Sequence, residues 1–274
     1  FPYLLRQTRG RVEVRNNTFV CARVEGCHDD ARLRVEVRDL SSAERSGLRV
    51  AVQAADVPLD KDLYQALLPE FRPVWDALSP SGALSEFSLL FHRYDRPGAP
   101  GWYDFAVSAR FSDLKVDCGM PVLVGRANVV IAQGEGDDTG RLRFSGNAST
   151  PAARFERIPL TNTSLSFNWR DNRMVVTDVV ADCYGGALTG TALLDLTVPR
   201  NEFTGKLALY NADIAQVLAD AGGESISGRV SATSKVAAEL IEGGAFGAVG
   251  GMVIRSGRIG ELPGLLGVLN LFVL

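Results

Sequence analysis

The chain has 274 residues, a formal net charge of −3 and 46% hydrophobic against 22% charged residues. That length is enough for one large or two ordinary cores, and the near-balance of charge leaves no basic surface for nucleic acid. Its 28 glycines, set among few long helical patterns, point to strands joined by many turns.

Strand signals begin early. Arg11-Val12-Glu13-Val14-Arg15 runs into the turn Asn16-Asn17 and out through Thr18-Phe19-Val20. Arg32–Arg38 places Leu33, Val35 and Val37 on one face and charges on the other, the period-two pattern of a sheet with one wet and one dry side. Asp60–Ser79 then switches period: Leu63, Leu67, Phe71, Val74, Trp75 and Leu78 recur at helical spacing, interrupted near Pro69 and Pro73, which predicts two short helices. From Ala83 onward the chain returns to strands. Acidic, glycine-rich Gln133–Gly140 reads as an exposed hairpin loop. Ser164–Trp169 alternates again, with Leu165, Phe167 and Trp169 on one side. Asp213 caps a short helix in company with Gln216, and Gly222-Gly223 ends it. Ser225–Val236 is a further alternating strand. Leu262–Leu274 is an apolar tail, shorter than the ~20 residues that span a bilayer and expected as a helix covering part of the sheet. The chain therefore divides into an N-terminal β unit at 1–56, a helical crossing at 57–80 and a long β region at 81–274.

A faint repeat supports modular growth. Val14–Phe19 aligns with Trp169–Met174, each a strand, a two-residue polar turn and a strand, and Arg255–Ile259 offers a third copy of the turn.

Catalytic patterns are lacking. There is no G-x-S-x-G elbow, H-E-x-x-H or P-loop, and Gly134, Gly136 and Gly140 miss the dinucleotide spacing in an acidic setting. The only histidines are His28 and His92, the latter inside a strand pattern and read as structural. Asp56, Asp60, Asp62 and Glu70 flank the helical crossing and read as caps or solvated charges. Cys21, Cys27, Cys118 and Cys183 form no C-x-x-C pair, and Cys27 beside His28 is the one adjacent pair of ligand types. Free thiols and two disulfides are both compatible with these positions. The expectation is a protein that is not an enzyme and carries no cofactor or metal.

The final third carries the most specific pattern. Ala181-Asp182-Cys183-Tyr184-Gly185-Gly186-Ala187-Leu188-Thr189-Gly190 is followed by Asn211–Leu218, by Ser227-Gly228-Arg229-Val230-Ser231-Ala232, by Gly250–Ile259 and by Leu262-Pro263. In order and spacing this resembles the C-terminal region of AsmA-like proteins, the bacterial envelope family that includes TamB-type proteins. The resemblance runs from about Phe155 to Leu274 and rests on glycine and apolar patterns.

The resemblance implies a mainly β, antiparallel sheet curled into a taco-like groove with a few short helices. It implies a periplasmic protein, held at the inner membrane by a helix preceding this chain, that carries phospholipid or other acyl-chain lipid between membranes and supports outer-membrane homeostasis. The groove wall would be Val35, Val37, Phe105, Val107, Leu165, Phe167, Trp169, Leu194, Leu196, Leu207 and Leu209, alternate residues of strands whose other face is polar. Two other classes remain open: an assembly factor or scaffold for outer-membrane proteins, offering its sheet edge to their assembly machinery, and a carbohydrate-binding or carbohydrate-cleaving β domain, disfavoured by an aromatic content of 8%.

Overall fold

The fold is described from a computed structural model, for residues 4–16, 18–42, 46–95, 98–117, 121–155, 157–197, 202–221, 227–239 and 246–255. In chain order the strands are β1 (Arg6–Arg15), β2 (Thr18–His28), β3 (Ala31–Asp39), β4 (Ser46–Ala55) and β5 (Val57–Pro58). After the helices α1 (Lys61–Ala66) and α2 (Arg72–Leu78) come β6 (Ser81–Asp95), β7 (Trp102–Asp117), β8 (Pro121–Asp137), β9 (Leu142–Phe155) and β10 (Ile158–Arg170). The chain continues through β11 (Arg173–Cys183), β12 (Gly186–Asp195), β13 (Glu202–Asp213), helix α3 (Ile214–Ala221), β14 (Arg229–Glu239) and β15 (Phe246–Arg255).

All strands belong to one antiparallel sheet, in an open order from β1 to β15 that follows the sequence, with β5 pairing aside onto β6. The fold is mainly β with a few short helices, as the alternation predicted. The expected two-part helical crossing is present: α1 and α2 flank a 3-10 turn at Pro69–Phe71, and each proline falls in the first turn of its segment, where its missing N–H costs no bond. Asp60 accepts from the Leu63 amide at 2.9 Å as N-cap of α1, and Asp213 accepts from Ala215 at 3.0 Å at the start of α3.

Two-residue turns close several hairpins. Asp171 and Asn172, at φ 52° and 58°, join β10 to β11; Tyr184 and Gly185, at 51° and 67°, join β11 to β12. Both residues of such a turn are left-handed, the geometry whose twist matches the flanking strands. Bulges also fall on Asn and Asp in that region. Asp178 (φ 53°) lies in the register shift between Val176 and Val179, and Asn211 (φ 54°) in that between Leu209 and Ala212.

One expectation is corrected. Gln133–Gly140 is not a loop: β8 continues to Asp137, and Gly134 and Gly136 are buried strand residues. A Cβ at either position would meet the ring of Phe105 or Tyr103 at 2.1 Å or 2.4 Å, so these glycines make room for aromatic rings. The turn itself is confined to 138–140. The Leu262–Leu274 tail, the Gly222-Gly223 stop, Cys118 and the turn at 256–259 lie outside the described residues.

The chain packs as two units. The first comprises Phe1–Lys115, Gly125–Ala148 and Asn168–Asn172; the second comprises Val116–Val124, Ser149–Phe167 and Arg173–Leu274. The first has a core at Ala31, Val57, Leu84 and Ala109, with Leu59, Leu63 and Ala66 of the helical crossing packed on it. The second has a core in which Ile214, Val217 and Leu218 of α3 cover Leu209, Ala212, Val230 and Ala232.

Candidate functional site

Residues paired across antiparallel strands project to the same face, so the register fixes what each face carries. In the first unit, one row across the sheet reads Val12, Ala22, Val37, Val50, Phe91, Phe105. The next reads Gly10, Val24, Val35, Val52, Leu89, Val107. The alternate rows are polar: Glu13, Cys21, Arg38, Arg49, His92, Asp104, and Arg9, Glu25, Arg34, Gln53, Ser88, Ser108. Charges on that face pair across strands, as in Arg23–Glu36 at 3.1 Å and Arg34–Glu25 at 3.0 Å. Hydrogen bonds from Arg23 and then Arg38 hold the Glu36 carboxyl below its ordinary range.

The helical crossing lies on the apolar face and covers only part of it. The row through Gly26, Leu33, Ala54, Phe87 and Ala109 underlies the core sealed by α1. Phe71 meets Phe105 edge-on at 5.7 Å and stacks on Phe144 at 6.2 Å, and Phe144 stacks on Trp169 at 5.8 Å. Toward β1 the cover ends: Val35, Val37, Val50 and Val52 are half-buried, and Val12 is 62% exposed.

The second unit repeats this plan. Its apolar rows include Ala181, Leu188, Leu209, Ala232, Met252, which α3 covers. Further along the strands lie Val176, Ala192, Gly205, Val236, Ala248 and then Met174, Leu194, Phe203, Ala238. Most of these are half-buried, and Leu207 between the two groups is 37% exposed. The reverse face carries rows such as Thr191, Lys206, Lys235 and Asp195, Glu202, Glu239.

The register thus brings Val37 into one row with Phe105, and Val35 into one row with Val107. Leu194, Leu207 and Leu209 share the apolar face of the second unit, at increasing proximity to α3. Exposure separates them: Phe105, Phe167, Trp169, Leu194 and Leu209 are buried, Val35, Val37, Val107, Leu165 and Leu196 half-buried, and Leu207 exposed. Leu209 belongs to the core that α3 closes. Sequence reasoning missed Val24, Val50, Val52, Leu89 and Phe91, which complete the rows; the run Ser88-Leu89-Leu90-Phe91 is apolar on both parities and hides its face.

The polar candidates make contacts within the fold. His28 Nδ1 lies 2.8 Å from the Leu4 carbonyl oxygen and Nε2 3.4 Å from Asp62, tying α1 to the start of the sheet. Cys27 and His28 are neighbours on a strand and project to opposite faces. Cys21, Cys27 and Cys183 are free thiols, and burial pushes the Cys183 thiol up to about 11. Among the described residues no cluster of His, Cys, Asp and Glu is placed to hold a metal ion, and no helix is long and apolar enough to cross a membrane. No protein-family model, curated protein or solved structure matches the chain.

Proposed function

We propose that the chain is part of an AsmA-like protein of the bacterial envelope, in the periplasm, whose apolar sheet faces carry phospholipid acyl chains between membranes. The observation that supports it is the set of half-buried apolar rows backed by charged rows in each unit. A β-sandwich would cover such rows with a second sheet; every described strand lies in the one sheet, and among the described residues short helices cover one part of each apolar face. Moving a CH₂ out of water is worth ~0.8 kcal/mol, so a sixteen-carbon chain gains ~13 kcal/mol along such a surface without a tight site at any one point. The charged reverse face supplies solubility.

The test is mass spectrometry of organic extracts of the protein purified from a bacterial envelope. Co-purified phospholipid, displaced by added phospholipid, is the expected result. Absence of extractable lipid, together with no crosslinking of a photoactivatable phospholipid, would overturn the reading. The end positions of β1 and β15 among the described strands favour a second reading, an assembly factor that pairs its edge with strands of an outer-membrane protein; a barrel protein in place of lipid in the same purification would support it.

A further inference from the structure

The polar face of the first unit carries one feature that neither solubility nor acyl chains require. Tyr94 and Trp102 are directly paired across β6 and β7, beside the pair His92 and Asp104. Their rings stack with centroids 5.5 Å apart and planes 21° from parallel, and His92 stacks on Tyr94 at 6.4 Å. Trp102 is nevertheless 42% exposed, whereas Trp169 is 2% exposed. A depression of about 310 Å³ adjoins it, lined by Trp102, Asp104, Gln133, Glu135, Leu90 and Ala106. Tyr94 comes from β6, on one side of Trp102, and Gln133 and Glu135 from β8, on the other. Leu90 of β6 also lines the depression and pairs with Ala106 of β7, so the depression runs along β7 from Trp102 toward Ala106, between β6 and β8. That volume lies at the lower end of small-ligand sites.

Two ligand classes combine an aromatic plate with carboxylates. A cation takes the ring's negative face and an unpaired carboxylate. A neutral sugar stacks its C–H face on the ring and hydrogen-bonds its hydroxyls to planar polar groups. Here neither carboxylate stands alone: Asp104 lies 2.8 Å from His92 Nδ1, and Glu135 lies 3.3 Å from an Arg143 nitrogen. One oxygen of each carboxylate is thus occupied, the second can accept from a hydroxyl, and the exposed Gln133 amide both donates and accepts.

We infer that this depression binds a neutral sugar ring, with Trp102 as the stacking platform and Asp104, Gln133 and Glu135 receiving its hydroxyls. The site is on the charged face and does not depend on lipid carriage by the apolar one. It gives a physical place to a class that the low aromatic content of the whole chain argues against.

The test is to titrate the full chain with neutral oligosaccharides of β-1,4-glucose, α-1,4-glucose and N-acetylglucosamine, reading tryptophan emission and saturation-transfer NMR. The same sugars are then presented as glycolipid headgroups on vesicles. At least one sugar should shift the emission. Trp102→Ala should weaken its binding at least tenfold with an unchanged melting temperature, and Gln133→Ala several-fold. Binding of the free sugar assigns the site to a saccharide; binding on vesicles alone assigns it to a glycolipid headgroup, and both support the sugar class. No binding in either form, undiminished binding by both variants, or binding of tetramethylammonium instead would overturn it.

Discussion

The ring of Phe105 on β7 lies across the backbone of Gly134 on β8, so closely that a methyl group at residue 134 would fall 2.1 Å from a ring carbon. The strand pays the flexibility of a glycine to seat an aromatic side chain that also meets Phe71 of the helical crossing. Gly134→Ala is expected to destabilise the protein by ~1–3 kcal/mol through overpacking. Denaturant unfolding checks this, and Phe105→Leu in the same background should recover part of the loss. Simple additivity of the two losses would show that the ring is not the obstacle.

Leu207 and Leu209 sit on the same face of β13 at 37% and 4% exposure, the second beneath α3. Leu207→Glu should strongly reduce crosslinking of a photoactivatable phospholipid to β12–β14 around it while changing stability by no more than about 1 kcal/mol. Leu209→Glu should instead unfold the second unit, because its carboxylate would be buried without a partner. Crosslinking retained in Leu207→Glu would remove this stretch of the sheet from the lipid path.

Alkaline conditions should weaken the second unit. The Cys183 thiol, buried and near Asp220, keeps its proton to about 11 when folded, from an ordinary value of 9.0. The unfolded chain releases that proton first, so above pH 9 it binds fewer protons than the folded chain and stability falls as pH rises toward 11. Burial and then Asp220 push the Tyr184 phenol up as well, in the same direction. Denaturation midpoints between pH 8 and pH 11 should fall more steeply for the wild type than for Cys183→Ala, because unfolding the wild type releases up to about one more proton than unfolding the variant. Equal slopes would contradict this account.

Asp60 holds the first turn of α1 through the Leu63 amide. Asp60→Ala should cost ~1 kcal/mol, and Asp60→Asn much less, since an amide oxygen still caps. Hydrogen exchange should localise the loss to 61–66; a loss spread evenly over the sheet would mean that Asp60 acts through something other than the cap.

Much of this was legible in the sequence. Leu33, Val35 and Val37 alternate with charges, and their face is the one observed; the prolines at 69 and 73 divide the crossing where the helices divide. What escaped was local departure from period two. At Asp178 a bulge moves the apolar parity of β11 from Met174 and Val176 to Val179 and Ala181, so a strand rich in valine shows no single stripe. Asn211 does the same for β13. Gly134 and Gly136 read as turn residues because a one-dimensional pattern holds no trace of the rings that need the space. The exposed Trp102 and the half-buried Tyr94 lie 8 positions apart and are joined by the β6–β7 register.

Apart from the detour through the helical crossing, each strand pairs with the next one in the chain. Contacts therefore form between nearby segments, and the entropic cost of closing each hairpin loop stays small. Such a sheet assembles by zipping outward from any early hairpin, with no step that waits for distant ends to meet. The same connectivity restricts how the gene can change: inserting or deleting one strand would reverse every later strand, whereas a whole hairpin can be gained or lost with strand direction kept. Lengthening in units of two strands is the evolutionary route this topology leaves open.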